Sequence, residues 1–289
     1  MAARLTLSSK LEMQACVPTL NGSARQLPPA MERQIAIDLA RRKGCYGIDA
    51  PYLLLIPTAL IVINILNAVA GRVVWPPLPA ALMMACLCCG LYASRRGKFV
   101  VWAELLGQLK LRGSKRILDL GCGRGAVLLM AAQQLTKGRA VGVDLWRKWD
   151  QSGNTIEATH RNAAAEGVAD RVELHTADLK VLPFGDETFD VVLSSLAIHN
   201  LKGRAARNRA LEEAVRVLRP GGRLMIADIL TTGQYQAHLA KLGRIDITRR
   251  HLGWRLWWSG PWLPTHLVSA TKPKAAFDDR SSVAGDSVA

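Results

Sequence analysis

The run Ile117-Leu118-Asp119-Leu120-Gly121-Cys122-Gly123-Arg124-Gly125 concentrates the chain's chemistry. A short apolar segment runs into alternate glycines, and a helix-forming stretch follows. Glycine tolerates positive φ and lets a ligand approach the backbone with no Cβ in the way. The first turn of the helix would offer unpaired N–H groups to a carboxylate or phosphate. Alone, the run is ambiguous. Gly121, Gly123 and Ala126 also satisfy a dinucleotide-binding loop, and Asp144, roughly twenty residues on, could bind a ribose diol in either case. Asp119 separates the two readings: a carboxylate entering the loop suits a ligand with an ammonium group and would repel a pyrophosphate. Asp178, in Thr176-Ala177-Asp178-Leu179, is placed to accept a hydrogen bond from an adenine amino group. His199, in Ala197-Ile198-His199-Asn200, is the candidate general base; its alternative role is to structure a loop. The six cysteines, Cys16, Cys45, Cys86, Cys88, Cys89 and Cys122, read as reduced thiols. No grouping with histidine has zinc spacing, so no metal is expected.

These residues need a scaffold, and from Arg116 onward one is legible. Strands are expected at 117–119, 139–144, 172–175, 189–194 and 223–228, and helices at 126–135, 154–166 and 204–218, with a turn at Arg219-Pro220-Gly221-Gly222. Strands alternating with helices imply a parallel sheet with right-handed crossovers. Two further runs, Trp254–Trp258 and His266–Thr271, joined across Ser259-Gly260-Pro261, imply a terminal antiparallel pair.

Together the blocks "LDLGCGRG", "VGVD", "TADLKVLPFGDETFDVVLSSLAIHN" and "EAVRVLRPGGRLMIADI" resemble the class I S-adenosylmethionine-dependent methyltransferases, over roughly residues 97–274. The resemblance implies a doubly wound α/β fold, with a mostly parallel seven-stranded sheet and an antiparallel last strand. It implies S-adenosylmethionine as cofactor. By the same resemblance Asp119 would orient the methionine amino group, helped by the backbone around Leu120, Gly121 and Gly123. Asp144 would hold the ribose diol, with Leu145 against the adenine, and Asp178 and Leu179 would hold the adenine edge. Ser194 and Ser195 would line the sulfonium side. An Asn-Pro-Pro-Tyr run is missing after the fourth strand, which removes weight from methylation of nucleic acid; no nucleic-acid partner is expected. Trp146 and Trp149 are candidates for a lid.

The first third of the chain reads differently. The chain is 49% hydrophobic yet carries a net charge of +15. Leu53–Ala70 and Leu78–Ala93 are apolar runs flanked by Arg41-Arg42-Lys43 and Arg95-Arg96-Gly97-Lys98, with Trp75 in the connecting turn. Cations beside apolar runs are the expected topology signal of a membrane segment. The expectation is a polar tail over 1–50, a two-helix transmembrane hairpin over 51–94 with both ends cytoplasmic, the methyltransferase domain over 95–275 and a disordered tail over 276–289. The membrane would be contacted through 53–93, and the catalytic domain would face the cytoplasm. A tether favours a small-molecule or lipid-like acceptor. The alternative from another class is a non-catalytic S-adenosylmethionine-binding membrane sensor or scaffold. Neither the acceptor nor the oligomeric state is legible.

Overall fold

The computed structural model describes residues 37, 40–72, 77–111, 113–243 and 245–274. Its strands are β1 (Arg116–Leu120), β2 (Arg139–Asp144), β3 (Val172–Thr176), β4 (Phe189–Ser195), β5 (Leu218–Asp228), β6 (Ile245–His251) and β7 (His266–Thr271). They form one sheet of order β3-β2-β1-β4-β5-β7-β6. β1 to β5 run parallel, and β7 is antiparallel to both of its neighbours. The central strands are apolar on both faces because both are covered, as parallel sheets require. Ile117, Leu193 and Met225 enter one buried cluster, while their neighbours Leu118, Val192 and Leu224 enter the other. That is the two-residue alternation of a strand. The strand order reverses at β1, between β2 and β4. Ligands of open α/β sheets sit at such a switch, beyond the carboxyl ends of the strands.

The helices are α1 (Tyr52–Val69), α2 (Pro77–Tyr92), α3 (Lys98–Leu109), α4 (Ala126–Gln134), α5 (Ile156–Ala165), α6 (Arg204–Arg216) and α7 (Thr232–Lys241). The expected strands and helices from 116 to 228 are all present. Two boundaries move. The Arg-Pro-Gly-Gly turn is taken up within the long β5, with an irregular register against β4 between Phe189 and Val191. The partner of β7 is β6, not Trp254–Trp258, where a 3-10 turn packs instead.

Two expectations for the first third need correction. α1 and α2 do pair as a hairpin. Among the described residues, however, no helix is long and apolar enough to cross a membrane. α1 has 18 residues and α2 has 16. At 1.5 Å per residue they reach about 27 and 24 Å, short of a hydrocarbon core of about 30 Å. The two-span reading is therefore replaced by a helical hairpin seated on the domain. The turn residues 73–76, including Trp75, lie outside the described residues, as do most of the two tails.

The described part of the supposed N-terminal tail is docked. The backbone N–H groups of Lys43 and Gly44 donate to Glu166 Oε1 at 2.9 and 3.1 Å, that of Cys45 to Asn162 Oδ1 at 2.8 Å. The Tyr46 hydroxyl donates to Glu166 Oε1 at 2.8 Å.

α2 passes into α3 through a π-helical turn, Ala93–Gly97, so 77–109 is one continuous rod. Its foot rests on the segment after β6. A Cβ on Gly97 would lie 1.9 Å from the carbonyl oxygen of Arg255, so glycine alone permits this approach. Trp254 stacks on Tyr92 with ring centres 5.3 Å apart, and Arg255 forms a two-pronged pair with Glu104 at 2.7 and 2.8 Å. The tryptophan-rich segment is thus the seat of the rod. Along the hairpin, Leu55, Ile65, Leu66 and Val69 of α1 and Leu82 of α2 stay exposed.

Candidate functional site

The glycine loop lies between the end of β1 and the start of α4, as its composition predicts. Gly121 and Gly123 have φ of 71° and 50°. A Cβ on Gly121 would meet Ala197 Cβ at 2.2 Å, and one on Gly123 would meet Gln151 Oε1 at 2.6 Å. Both positions need glycine for φ and for space. The amides of the loop itself, ahead of the helix, are engaged. Gly121 and Cys122 donate to Val143 O at 2.8 and 3.1 Å, and Gly125 donates to Cys122 O at 2.8 Å. Gly123 donates to Asp144 Oδ2 and Arg124 to Gln151 Oε1, each at 2.8 Å. The loop's own amides are used in holding its shape, leaving the carboxylates as its recognition groups.

Asp119 is 1% exposed, and its Oδ1 has no hydrogen-bond partner among the described residues. Burial pushes its pKa up to about 7; a backbone bond from Leu128 opposes this and the nearby Asp144 adds to it. A buried carboxylate with an orphaned oxygen is costly unless a ligand supplies a donor or positive charge. Asp144 ends β2 and is held by Trp146 N at 2.6 Å and Asn154 Nδ2 at 3.2 Å on Oδ1, besides Gly123 N on Oδ2. Its carboxylate is therefore rigidly oriented at the strand end. Each oxygen has a second lone pair able to accept from a hydroxyl.

The remaining predicted residues divide. Asp178 Oδ1 accepts from Lys180 N at 3.0 Å, and its side chain is 38% exposed beside Lys180 Nζ at 3.2 Å. Leu179 is buried in the core with Leu182 and Phe189, so only its backbone could meet a ligand. Leu145 is 38% exposed at the end of β2. Leu120 is fully buried, and its carbonyl accepts from Ser194 Oγ at 3.1 Å. Ser194 is itself fully buried, so it braces the sheet and does not line a pocket. The Ser195 hydroxyl accepts from Trp102 Nε1 of α3 at 2.9 Å. Trp149 lies edge-on to Tyr52 of α1, with ring centres 5.9 Å apart, instead of closing over the loop. Trp146 Nε1 donates to Thr176 Oγ1 at 2.7 Å.

His199 sits beyond β4, and the structure supplies a partner that the sequence does not single out. Its Nδ1 is 2.5 Å from Oδ1 of Asp228, the last residue of β5. Asp228 is fully buried. Its oxygens also accept from His199 N at 3.0 Å, Ile229 N at 2.9 Å and Tyr235 OH at 3.2 Å. Burial disfavours the charged imidazole, yet the bond and charge of Asp228, with Asp150 adding, raise the His199 pKa above its ordinary value. With Nδ1 occupied by Asp228, Nε2 is the nitrogen left to exchange a proton. The only advance signal for Asp228 was a carboxylate at the carboxyl end of a strand.

Three non-glycine residues just past strands at this end of the sheet have left-handed backbones: Trp146 after β2 (φ 57°), Leu196 after β4 (φ 54°) and Leu230 after β5 (φ 61°). Such backbones carry strain and cluster where function requires a fixed geometry. Among the described residues no group of acidic, histidine and cysteine side chains is arranged to hold a metal.

Residues 118–226 match a family model described as a methyltransferase domain. The chain is 36% identical over 131 residues to a demethylmenaquinone methyltransferase of Symbiobacterium thermophilum, covering 45% of this chain and 49% of that protein. It is 34% identical over 130 residues to the methyltransferase GfsG of Streptomyces halstedii, covering 45% and 43%. It is 33% identical over 128 residues to the sterol 4-C-methyltransferase strm-1 of Caenorhabditis elegans, covering 44% and 35%. The chain thus spans less than half the length of these relatives. Among solved structures, the [4+2]-cyclase SpnF superposes with a TM-score of 0.51 at 19% identity, over 79% of this chain and 99% of that one. A geranyl diphosphate methyltransferase in complex with S-adenosylmethionine superposes with a TM-score of 0.50 at 18% identity, over 63% and 91%. These two likenesses concern the fold. The family and sequence matches support a methyltransferase domain over this part of the chain.

Proposed function

We propose that this chain is an S-adenosylmethionine-dependent methyltransferase of class I that works at a lipid surface on a small, lipid-like acceptor. The observation that carries the cofactor half is Asp119, whose buried, orphaned oxygen beneath the glycine loop calls for a cationic partner. The α-ammonium of S-adenosylmethionine fits that demand, and the braced Asp144 suits its ribose diol. When bound, S-adenosylmethionine supplies an electrophilic methyl group on a sulfonium. The chain's own residues must then hold the acceptor and manage its proton. His199, oriented by Asp228, takes that proton at Nε2, and the Asp228 carboxylate stabilises the imidazolium that results.

The acceptor half rests on the exposed apolar flank of the hairpin and on the exposed Arg95 and Arg96 at its foot. That combination suits half-depth insertion into an anionic leaflet, on the side from which the domain docks. The relatives include proteins named for a quinone precursor and a sterol, both apolar small molecules.

The test is calorimetric binding of S-adenosylmethionine to the full chain, followed by transfer of labelled methyl to a demethylated quinone, a sterol and a water-soluble catechol. Saturable binding lost in Asp144→Ala, with label recovered in an apolar product, is expected. A folded chain that binds no S-adenosylmethionine would sink the reading. Label on the catechol alone would remove the lipid half.

A further inference from the structure

We infer that Asp49 and Gln151 form a relay through which the foot of the helical hairpin sets the geometry of the glycine loop, which makes both of them positioning residues. The inference rests on the reading of that loop as the S-adenosylmethionine site. Gln151 is 8% exposed. Its Oε1 accepts from Arg124 N at 2.8 Å, and its Nε2 donates to Asp49 Oδ1 at 2.8 Å. The same Oε1 occupies the space a Gly123 side chain would need, so Gln151 both bonds and packs the loop.

Asp49 faces the other way with its second oxygen. Oδ2 accepts from Lys98 Nζ at 2.6 Å and from Ser94 Oγ at 2.9 Å, and Ser94 Oγ accepts in turn from Asp49 N at 2.9 Å. Ser94 lies in the π-helical turn and Lys98 is the first residue of α3; they are 1% and 4% exposed. Backbone bonds fasten the two strips together, Ala50 N to Asp150 O and Ser152 N to Ile48 O, each at 2.9 Å.

From the rod to the loop the path is therefore Ser94 and Lys98, Asp49, Gln151 and the Arg124 amide. Each contact lies at hydrogen-bond distance, and the groups are largely withdrawn from water. In such surroundings bonds are strong and a released partner is costly, so the members move together or not at all. π-turns are rare and concentrate at functional places. A shift of the hairpin on an apolar surface must move Ser94 and Lys98, and the loop with them. By linkage, whatever hairpin docking does to cofactor affinity, the cofactor does to docking by the same factor.

Asp49→Asn keeps a carbonyl for Gln151 but points an N–H₂ at Lys98, cutting the hairpin side alone. Gln151→Ala removes both Gln151 contacts, to the Arg124 amide and to Asp49, and leaves the Asp49 contacts with Ser94 and Lys98 in place. Glu104→Gln disturbs the rod's seat at Arg255, away from the relay, and serves as control. On the full chain, hydrogen exchange of residues 121–126 would be followed without ligand, with calorimetry of S-adenosylhomocysteine beside it. The expected result is faster exchange and about tenfold weaker binding in both relay variants and neither effect in Glu104→Gln. Phosphatidylglycerol vesicles should change S-adenosylhomocysteine affinity in the wild type but not in Asp49→Asn. If Asp49→Asn lowers the melting temperature while exchange and affinity stay at wild type, the contact is merely structural and the inference falls. It falls equally if vesicles leave wild-type affinity unchanged. Exchange that responds to both variants in a chain binding no S-adenosylhomocysteine would keep the relay and sink the cofactor reading instead.

Discussion

At the scale of single residues, the site is a set of carboxylates whose environments differ. Asp119 has a pKa raised to about 7 by burial, against an ordinary 3.8. An ammonium ligand favours its ionised form, so below pH 7 binding must first remove a proton. S-adenosylmethionine affinity should therefore fall about tenfold per pH unit as pH drops below 7, a slope measurable by calorimetry. Asp119→Asn should abolish that slope together with most of the affinity. The sign for stability is the reverse. The native state holds this proton between pH 3.8 and about 7, so the contribution is present at low pH and lost as pH rises through that window. At pH 8 the empty Asp119→Asn chain should be more stable by on the order of 1–3 kcal/mol in urea unfolding.

His199 carries a second pH signature. Asp228 and Asp150 raise its pKa, opposed by burial and by Arg207. The base form gains population as pH rises, so methyl transfer should climb on an acid limb lying above the ordinary histidine value. His199→Ala should cost about 10²–10⁴-fold in kcat. Asp228→Asn should shift the limb to lower pH while keeping substrate KM. The glycine loop was legible because all its determinants are neighbours in the chain. The His199–Asp228 pair was not: its members come from different strand ends, and only the β4–β5 pairing unites them.

At the scale of elements, period and turn chemistry located the strands and helices from 116 to 228. β6 escaped because Ile-Asp-Ile-Thr-Arg-Arg-His has little apolar alternation, and charge is what an edge strand uses to resist pairing with other chains. The nearby tryptophans drew attention to the wrong segment, since their apolar surface is spent on the rod and not on the sheet. The docking of residues 43–46 on α5 was equally hidden, its partners lying more than 100 residues away. The Gly97 contact with Arg255 makes a sharp prediction. Gly97→Ala forces Cβ against a backbone carbonyl that has no room to yield. It should cost about 1–3 kcal/mol and expose the junction near Gly97 to protease, read by thermal melting and limited proteolysis of the full chain.

At the scale of the whole molecule, apolar exposure along the hairpin coincides with a net charge of +15. Binding to vesicles should therefore need both terms. Cosedimentation should be strong with phosphatidylglycerol vesicles at low salt, weaker on phosphatidylcholine, and reduced as salt screens the charge. Replacing Ile65, Leu66 and Val69 together by serine should abolish it at any salt. Retention of binding by that triple variant would place the contact elsewhere.

The unbroken passage of α2 into α3 has a mechanical meaning. From Tyr92 at the end of the hairpin to Trp102, whose indole holds Ser195 at the mouth of the sheet, the rod advances ten residues, about 15 Å. Helix length is not adjustable, so if the hairpin docks on a leaflet as proposed, the rod sets the stand-off between that surface and the sheet. On that proposal, an acceptor lodged in the bilayer would be served only if its reacting atom rose to that height. Selection among lipids would then depend on how far each one protrudes, before any pocket distinguishes their shapes.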